Sequence, residues 1–258
     1  MSMELKVALL QSAIVWEMPE QNRANFSRMI EKISDDTDVI ILPEMFTTGF
    51  TMSPQRVSAS EGPLSVRWMQ EEAAGKNAAL VGSMVFCEEG KYYNRLYFVH
   101  PDGSIATYNK RHTFSLAGED KVYNKGEGKI ISTFRGFNFH PLICYDLRFP
   151  VWSRNTGNYD VLIYVANWPK VRNEAWDALL KARAIENMAY CIGVNRVGSD
   201  PNGNEYSGHS GVYDCLGDSM VFSEQETILY ATLSKDHIDD TRKRYNFLKD
   251  GDSFTLLS

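Results

Sequence analysis

Residues 137–150 place a cysteine where its thiol could act as a nucleophile. An apolar run over 137–143 ends at Cys144, and the charged turn Tyr145-Asp146-Leu147-Arg148 follows it. Such a turn lifts the thiol off the end of a buried strand and can aim backbone N–H groups at the group that the thiol attacks. Because the thiolate is the reactive form, the cysteine needs a charged partner.

Two charged residues occupy similar settings elsewhere in the chain. Glu44 follows the aliphatic run 39–42, which is typical of a strand buried on both faces. Lys110 follows a predicted hairpin that turns at Pro101-Asp102-Gly103. Open α/β sheets bind ligands at the carboxyl ends of their strands. Held together there, a carboxylate, an ammonium and a thiol can hydrolyse an amide without a metal.

Each of these residues also has an ordinary structural interpretation. Cys144 alone could be a core thiol, Glu44 a surface charge at a strand end, and Lys110 part of a solvated loop. An alternative catalytic arrangement pairs Cys144 with His112 or His209, although His209 could equally be a loop residue that hydrogen-bonds its neighbours. The five histidines form no H-x-x-x-H or comparable ligand pattern, which disfavours a zinc hydrolase.

Composition limits the class of protein. A chain of 258 residues with 43% hydrophobic content can bury one sizeable core, and no linker or repeat divides it, so we expect a single domain over residues 1–258. The net charge of −6 argues against non-specific nucleic-acid binding. We expect no membrane span and no leader segment. The four cysteines lack a C-x-x-C pair, and free thiols together with these features predict a cytoplasmic protein.

Hydrophobic periodicity predicts strands alternating with helices, which is typical of an α/β fold with a mixed sheet. The predicted strands are 4–10, 39–42, 79–86, 97–99, 104–108, 137–143, 159–166, 190–197 and 227–233, and a further hairpin turns at Leu216-Gly217-Asp218. The predicted helices are 20–33, 62–74 and 176–188. Composition does not decide whether one sheet forms or two.

The three motifs, in this order, resemble the nitrilase (carbon–nitrogen hydrolase) superfamily. They are Leu42-Pro43-Glu44, Asn109-Lys110-Arg111-His112 and Ile143-Cys144-Tyr145-Asp146-Leu147-Arg148-Phe149-Pro150. The resemblance continues through Ala166-Asn167-Trp168-Pro169, Ala182-Arg183-Ala184-Ile185-Glu186-Asn187 and Asn195-Arg196-Val197-Gly198, and so covers almost the whole chain. Asn167-Trp168-Pro169, Tyr206-Ser207-Gly208-His209-Ser210 and the compact length look most like the ω-amidase branch, whose members act on 2-oxoglutaramate and 2-oxosuccinamate.

This resemblance implies a fold and an assembly. The fold would be a four-layer α-β-β-α sandwich with mixed sheets, and one face would pair with a second subunit to give a homodimer or a higher homo-oligomer. The tail over residues 246–258 would reach across that interface. The resemblance implies a hydrolase that needs no metal and no organic cofactor.

In the catalytic interpretation, Glu44 accepts the thiol proton and later activates water, while Cys144 forms a thioester intermediate. Lys110 and the backbone N–H of Tyr145 stabilise the oxyanion. The resemblance implies a second glutamate shortly after the lysine, which orients Lys110 and holds the incoming water. Glu119 is the best match, with Asp120 and Glu127 as neighbouring alternatives.

A 2-oxo acid substrate carries a carboxylate that the protein must recognise. Arg172 is the first candidate to bind it and Arg148 the second, although Arg148 could instead form a local ion pair with Asp146. Phe114, Tyr145 and Trp168 would wall the pocket, with a core position as the alternative for Trp168. Arg183, Glu186 and Asn187 share helical spacing and are interpreted as structural support.

The catalytic motif leaves two alternatives open. The same chemistry could act on a nitrile, a carbamoyl amine or a different amide, because these substrates share the thioester or thioimidate route. The chain could also be a catalytically silent family member that binds a metabolite or a protein. The expected partner is a small-molecule amide, with neither nucleic acid nor membrane involved.

Overall fold

Two six-stranded sheets organise the protein in a computed structural model that describes residues 3–256. The strands are β1 (Glu4–Gln11), β2 (Val39–Ile41), β3 (Ala79–Glu88), β4 (Lys91–Val99), β5 (Ile105–Asn109), β6 (Ser132–Phe134), β7 (Phe137–Ile143), β8 (Val161–Val165), β9 (Tyr190–Val194), β10 (Val197–Ser199), β11 (Glu205–Ser207), β12 (Ser210–Tyr213), β13 (Ser219–Ser223) and β14 (Thr227–Ser234). The helices are α1 (Pro19–Ile30), α2 (Glu61–Lys76), α3 (Pro150–Ser153), α4 (Asn173–Asn187) and α5 (Lys235–Tyr245).

Both sheets are mixed. The first has the order β14-β1-β2-β3-β4-β5, with β1, β2 and β3 parallel to one another. The second has the order β13-β12-β9-β8-β7-β6, with β7, β8 and β9 parallel. The parallel strands lie at the centre of each sheet and the antiparallel strands at its edges. The carboxyl ends of β2, β7 and β8 are therefore central positions for functional side chains.

Alternation along the strands explains the layers. On β1, Leu5, Val7 and Leu9 belong to the core shared with the second sheet, whereas Ala8 and Leu10 belong to the core that α1 and α2 cover. On the far side of the second sheet, Trp176 and Leu180 of α4 are buried against the strands. These contacts confirm the α-β-β-α sandwich with mixed sheets.

Most predicted elements are present, with shifts at their ends. The predicted strand 190–197 divides into β9 and β10, because Asn195 and Arg196 leave the ladder. Helix α5 was not predicted. Only Ile238 and Thr241 of this helix are buried, which is too sparse an apolar stripe to mark a helix in the sequence. None of the helices within residues 3–256 is long and apolar enough to cross a membrane.

Candidate active site

Cys144 begins a short 3-10 helix, Cys144–Arg148, directly after β7. Its φ is +43°, in the left-handed region that residues other than glycine rarely adopt. This sharp turn directs the side chain away from the sheet, and 9% of its surface remains exposed to the cavity described below. The Tyr145 N–H lies in the first turn of the helix, where backbone N–H groups have no intrahelical acceptor. Such strained turns are common at functional sites.

Glu44 lies beyond β2 and is completely buried. Its Oε1 accepts hydrogen bonds from Lys110 Nζ and from Asn94 Nδ2, each at 2.8 Å. Its Oε2 accepts a hydrogen bond from the backbone N–H of Asn167 at 2.8 Å, and the carboxylate lies close enough to the Cys144 thiol to raise the pKa of that thiol. Donors from both sheets therefore fix this carboxylate beside the thiol.

Lys110 follows β5 and is 1% exposed. Its ammonium lies between two carboxylates, at 2.8 Å from Glu44 Oε1 and at 3.0 and 2.9 Å from the two oxygens of Glu119. The Phe50 ring adds a cation–π contact at 5.1 Å. A buried ammonium with this many donor contacts is held in one orientation.

Glu119 is the carboxylate that the structure brings to Lys110; Asp120, beside it in sequence, is exposed. Glu119 is fully buried, and its Oε2 accepts the backbone N–H of Phe114 at 2.5 Å. The same side chain therefore closes the loop that carries Phe114. Of the three neighbouring carboxylates considered from the sequence, Glu119 occupies the site.

Burial and charge set the protonation states in this cluster. Burial disfavours the ammonium of Lys110, but the carboxylates of Glu119 and Glu44 outweigh it and raise the pKa of Lys110 above its ordinary value. Burial, followed by the negative charge of Glu44, raises the pKa of the Cys144 thiol, which Lys110 opposes. Burial also raises the pKa of Glu119. The resting site therefore contains a neutral thiol beside a fixed carboxylate and a permanent cation.

A cavity of about 220 Å³ opens in front of Cys144. The lining residues are Phe50, Lys110, Phe114, Leu116, Ala117, Cys144, Tyr145, Arg148, Asn167, Trp168, Pro169, Arg172, Asn204 and Tyr206. All four residues expected to bind substrate are among them. The small volume suits a substrate of a few heavy atoms.

Aromatic rings support both arginines of the cavity. The guanidinium of Arg172 lies 5.3 Å from the centre of the Phe114 ring, and that of Arg148 lies 5.0 Å from the Trp168 ring. Neither arginine forms a salt bridge with any residue between 3 and 256. Arg172 is half-buried and Arg148 exposed. Trp168 combines both of its predicted roles, since its ring also packs on Trp176.

The expected ion pair between Asp146 and Arg148 is wrong. Asp146 Oδ1 instead lies 2.7 Å from His112 Nδ1 and accepts a hydrogen bond from the backbone N–H of His112 at 3.0 Å. Asp146 Oδ2 accepts a hydrogen bond from the hydroxyl of Tyr108 at 2.8 Å. Residues 146 and 148 are two positions apart in a tight turn, so their side chains extend in different directions. The Arg148 side chain lies over the Trp168 ring. Asp146 thus ties the turn that carries Cys144 to the loop that carries Lys110.

The histidines considered for a Cys–His pair have other partners. His112 bonds Asp146 and stacks on Phe149 at 3.8 Å between ring centres. His209 bonds Asp177 at 2.8 Å, as expected for a structural loop residue. The charged groups acting on the thiol of Cys144 are Glu44, Lys110 and Glu119. This arrangement favours the carboxylate–ammonium–thiol interpretation over the Cys–His one.

Arg183 supports the turn after Cys144, as its helical spacing indicated. Its guanidinium donates to the Leu147 carbonyl at 2.5 Å and pairs with Glu186 at 3.0 Å. Asn187 donates back to the Arg183 carbonyl at 2.9 Å. These contacts connect α4 to the turn at the end of β7.

Sequence reasoning missed Asn94, a buried amide in the middle of β4 that contacts both carboxylates. An asparagine within a strand is unusual, and this was the available signal. It also missed Asn204 and Tyr206, which line the far wall of the cavity and both donate to Asp200, at 2.9 and 2.8 Å. That wall depends on the pairing of β10 with β11, which local patterns do not reveal.

A sandwich of this kind, with a buried carboxylate, ammonium and thiol around one small cavity, defines the nitrilase superfamily. The family model for carbon–nitrogen hydrolases matches residues 6–243, and the chain belongs to that family.

Three relatives are informative. Omega-amidase YafV of Escherichia coli K12 is 43% identical over 254 residues, covering 98% of each chain. 2-Oxoglutaramate amidase of Bacillus subtilis is 34% identical over 220 residues, covering 83% of this chain and 85% of the relative. A superfamily protein from Xanthomonas campestris, solved with an arsenic adduct in its active site, is 38% identical with a TM-score of 0.95, covering 98% and 99% of the two chains.

Proposed function

We propose that the protein is an ω-amidase, which hydrolyses the terminal amide of a short 2-oxo dicarboxylic acid monoamide, such as 2-oxoglutaramate or 2-oxosuccinamate, to the acid and ammonia. The observation that carries this proposal is the cluster of Glu44, Lys110 and Cys144 beside a small cavity, which Lys110 and Cys144 line together with two guanidinium groups that form no salt bridge within residues 3–256. The names of the relatives that match nearly the whole chain support it.

The first half of the reaction forms a thioester. Glu44, which lies beside the Cys144 thiol, accepts its proton as sulfur attacks the amide carbon. The tetrahedral intermediate collapses when the nitrogen receives that proton from Glu44, and ammonia leaves. A neutral resting thiol suits this route, since the charge appears only as sulfur attacks.

The developing oxyanion needs donors that are already oriented. Lys110 Nζ lines the cavity, and the carboxylates of Glu44 and Glu119 fix its position. The Tyr145 N–H, at the start of the 3-10 helix, is the second donor. Removing one such donor typically lowers kcat by about 10² to 10³.

The second half consumes water. Glu44 takes a proton from water as its oxygen attacks the thioester carbon, and the proton returns to sulfur when the carboxylic acid is released. Glu119 orients Lys110 through both of its oxygens and holds the incoming water. The two carboxylates share one ammonium.

Arg172 binds the substrate carboxylate in this proposal, with Arg148 as the second candidate. Arg172 is half-buried and held over Phe114, so it can desolvate a carboxylate better than the exposed Arg148. Phe114 and Trp168 form the walls that exclude bulky substrates.

The assembly and location stay predictions. We propose a single carbon–nitrogen hydrolase domain over residues 1–258 that forms a cytoplasmic homodimer or higher homo-oligomer and binds neither nucleic acid nor membrane. The tail over 246–258 would lie at the subunit interface; residues 257 and 258 lie outside the described part of the chain. Light scattering of the full chain and of a chain ending at residue 245 tests the interface. The same number of subunits in both particles would contradict a role of the tail in holding the subunits together.

Ammonia release by the purified protein tests the function. 2-Oxoglutaramate is compared with glutamine, which differs at the 2-position, and with a simple nitrile and a carbamoyl amino acid. We expect turnover of the oxo-amide that is lost in Cys144→Ala and kept in Cys87→Ala, a matched control whose thiol does not line the cavity. Turnover of another panel member alone would refute the substrate. Activity in Cys144→Ala would refute the mechanism.

A further inference from the structure

Asn94 lies at the centre of the charged cluster, although its own side chain is neutral. It is 1% exposed in the middle of β4, and its carbonyl accepts the backbone N–H of Lys110 at 3.0 Å. Its Nδ2 donates to Glu44 Oε1 at 2.8 Å and to Glu119 Oε1 at 3.3 Å. One amide group therefore contacts both carboxylates and also anchors the backbone of the lysine between them.

The charges explain why such a donor matters. Glu44 and Glu119 supply two buried carboxylates, and Lys110 supplies one ammonium. Both carboxylates lie within 3.0 Å of the same ammonium, so they are close to each other. Like charges this close repel strongly where water is excluded. The two hydrogens of the Asn94 amide provide partial positive charge at Oε1 of Glu44 and at Oε1 of Glu119. Because the amide is neutral, it adds no net charge to the cluster.

The carbonyl oxygen of the Asn94 side chain also indicates that the amide is placed for its donor hydrogens. Asn94 Oδ1 is buried and has no hydrogen-bond partner among residues 3–256. A buried acceptor without a partner disfavours folding, and such groups call for an explanation other than stability. The amide is thus oriented for its donor hydrogens and leaves its acceptor unsatisfied.

We propose that Asn94 is a positioning residue that holds the carboxylates of Glu44 and Glu119 side by side around Lys110, so that one ammonium serves both. The proposal rests on the proposed chemistry of this site. Asn94 itself need not touch substrate, since it is absent from the cavity wall.

Other titratable groups face the same cluster. Cys144 faces it from the turn after β7, Tyr123 from the loop after Glu119, and Tyr206 from β11. Burial raises the pKa of both tyrosines above the ordinary value, so both stay neutral below pH 10. A change in a pH profile over pH 4 to 10 therefore reports Glu119 and the thiol of Cys144 rather than the tyrosines.

Asn94→Asp tests the proposal, because it keeps the shape of the side chain and adds a third carboxylate. The readout is the rate at which iodoacetamide alkylates Cys144, followed by mass spectrometry of its peptide from pH 4 to 10. We expect the alkylation profile to move to higher pH by at least about one unit, since the new negative charge disfavours ionisation of the Cys144 thiol. Asn138→Asp, which adds the same charge at a half-buried position at the start of β7, at the opposite end of that strand from Cys144 and outside the cavity wall, should leave the profile unchanged.

Steady-state kinetics and a second variant complete the test. With a turned-over amide, kcat of Asn94→Asp and of Asn94→Ala should fall at least about tenfold, with KM within about threefold of the wild-type value. An unmoved alkylation profile, or wild-type kcat in the folded Asn94→Ala variant, would overturn the proposal; if Asn94→Asp does not fold, Asn94→Ala decides. Alkylation needs no substrate, so this test succeeds or fails separately from the assignment of 2-oxoglutaramate.

Discussion

Replacing Lys110 with methionine separates the catalytic part of the site from its structural part. Methionine keeps most of the volume of lysine but removes the ammonium, which lies within 3.0 Å of oxygens on both Glu44 and Glu119. The change leaves two fully buried carboxylates with no cation between them. It should therefore affect the stability of the fold and the reaction at the same time.

The loss of stability and the loss of activity differ in size, and a second substitution should restore only the stability. Removing one partner of a buried ion pair costs about 3–5 kcal/mol in the free energy of unfolding, because the remaining charge stays desolvated. Adding Glu119→Gln neutralises one carboxylate and should restore about half of that loss or more. The rate should fall by at least about 10² in both variants, since neither has the oxyanion donor. Lys110 is also the group that opposes the rise in the pKa of the Cys144 thiol.

Chemical denaturation and ammonia release measure the two quantities on the same preparations. The set contains wild type, Lys110→Met, Glu119→Gln and the double variant, which closes a double-mutant cycle. Glu119→Gln alone should lose less activity than Lys110→Met, because it keeps the ammonium.

Two results would refute the reasoning. Lys110→Met with kcat within tenfold of wild type would show that the ammonium does not stabilise the oxyanion. A double variant less stable than Lys110→Met would show that the carboxylate of Glu119 is not an unpaired charge once the lysine is gone.

Three further substitutions test other parts of the structure. Arg172→Met should raise KM for 2-oxoglutaramate by about 10- to 100-fold, and Arg148→Met should raise it less; the reverse order in steady-state kinetics would exchange their roles. Asp146→Asn should lower the free energy of unfolding by about 1–3 kcal/mol in urea, since an amide cannot accept all the bonds donated by His112 and its neighbours; unchanged stability would contradict this. Burial lowers the pKa of His140 to about 4, so the unfolded chain binds the proton and the folded chain does not between about pH 6.5 and 4. The wild-type protein should lose about 3 kcal/mol of stability over that interval relative to His140→Asn, full stability being present above it; parallel urea curves would refute this.

The candidate catalytic residues were visible in the sequence because each follows a predicted strand. Glu44 follows four aliphatics and Cys144 follows seven largely apolar residues, so charge or sulfur at these points interrupts a clear local pattern. The hairpin before Lys110 has an equally clear turn. The structure brings all three together beside one cavity, which Lys110 and Cys144 line. Their individual roles stay predictions that the variants above test.

Contacts that depend on pairing between distant segments could not be predicted in the same way. The sequence suggests Arg148, two positions along, as a possible partner of Asp146, whereas the observed partner His112 lies on a loop from the other sheet. Asn94 was missed because its importance comes from the register of β4, which places it opposite Lys110. Sequence patterns report which face a residue occupies, but they do not report which distant residue faces it.

The site lies between the two sheets, and this position explains why it needs residues from both of them. Glu44, Asn94 and Lys110 belong to the first sheet and its connections, whereas Cys144 and Asn167 follow strands of the second. Glu44 connects the two halves, since its carboxylate accepts from Lys110 on one side and from the Asn167 N–H on the other. Neither sheet alone contains the proposed nucleophile, the proposed base and the proposed ammonium donor. The chemistry therefore depends on the face-to-face packing of the two sheets, and loss of that packing should remove activity and folded structure in a single transition.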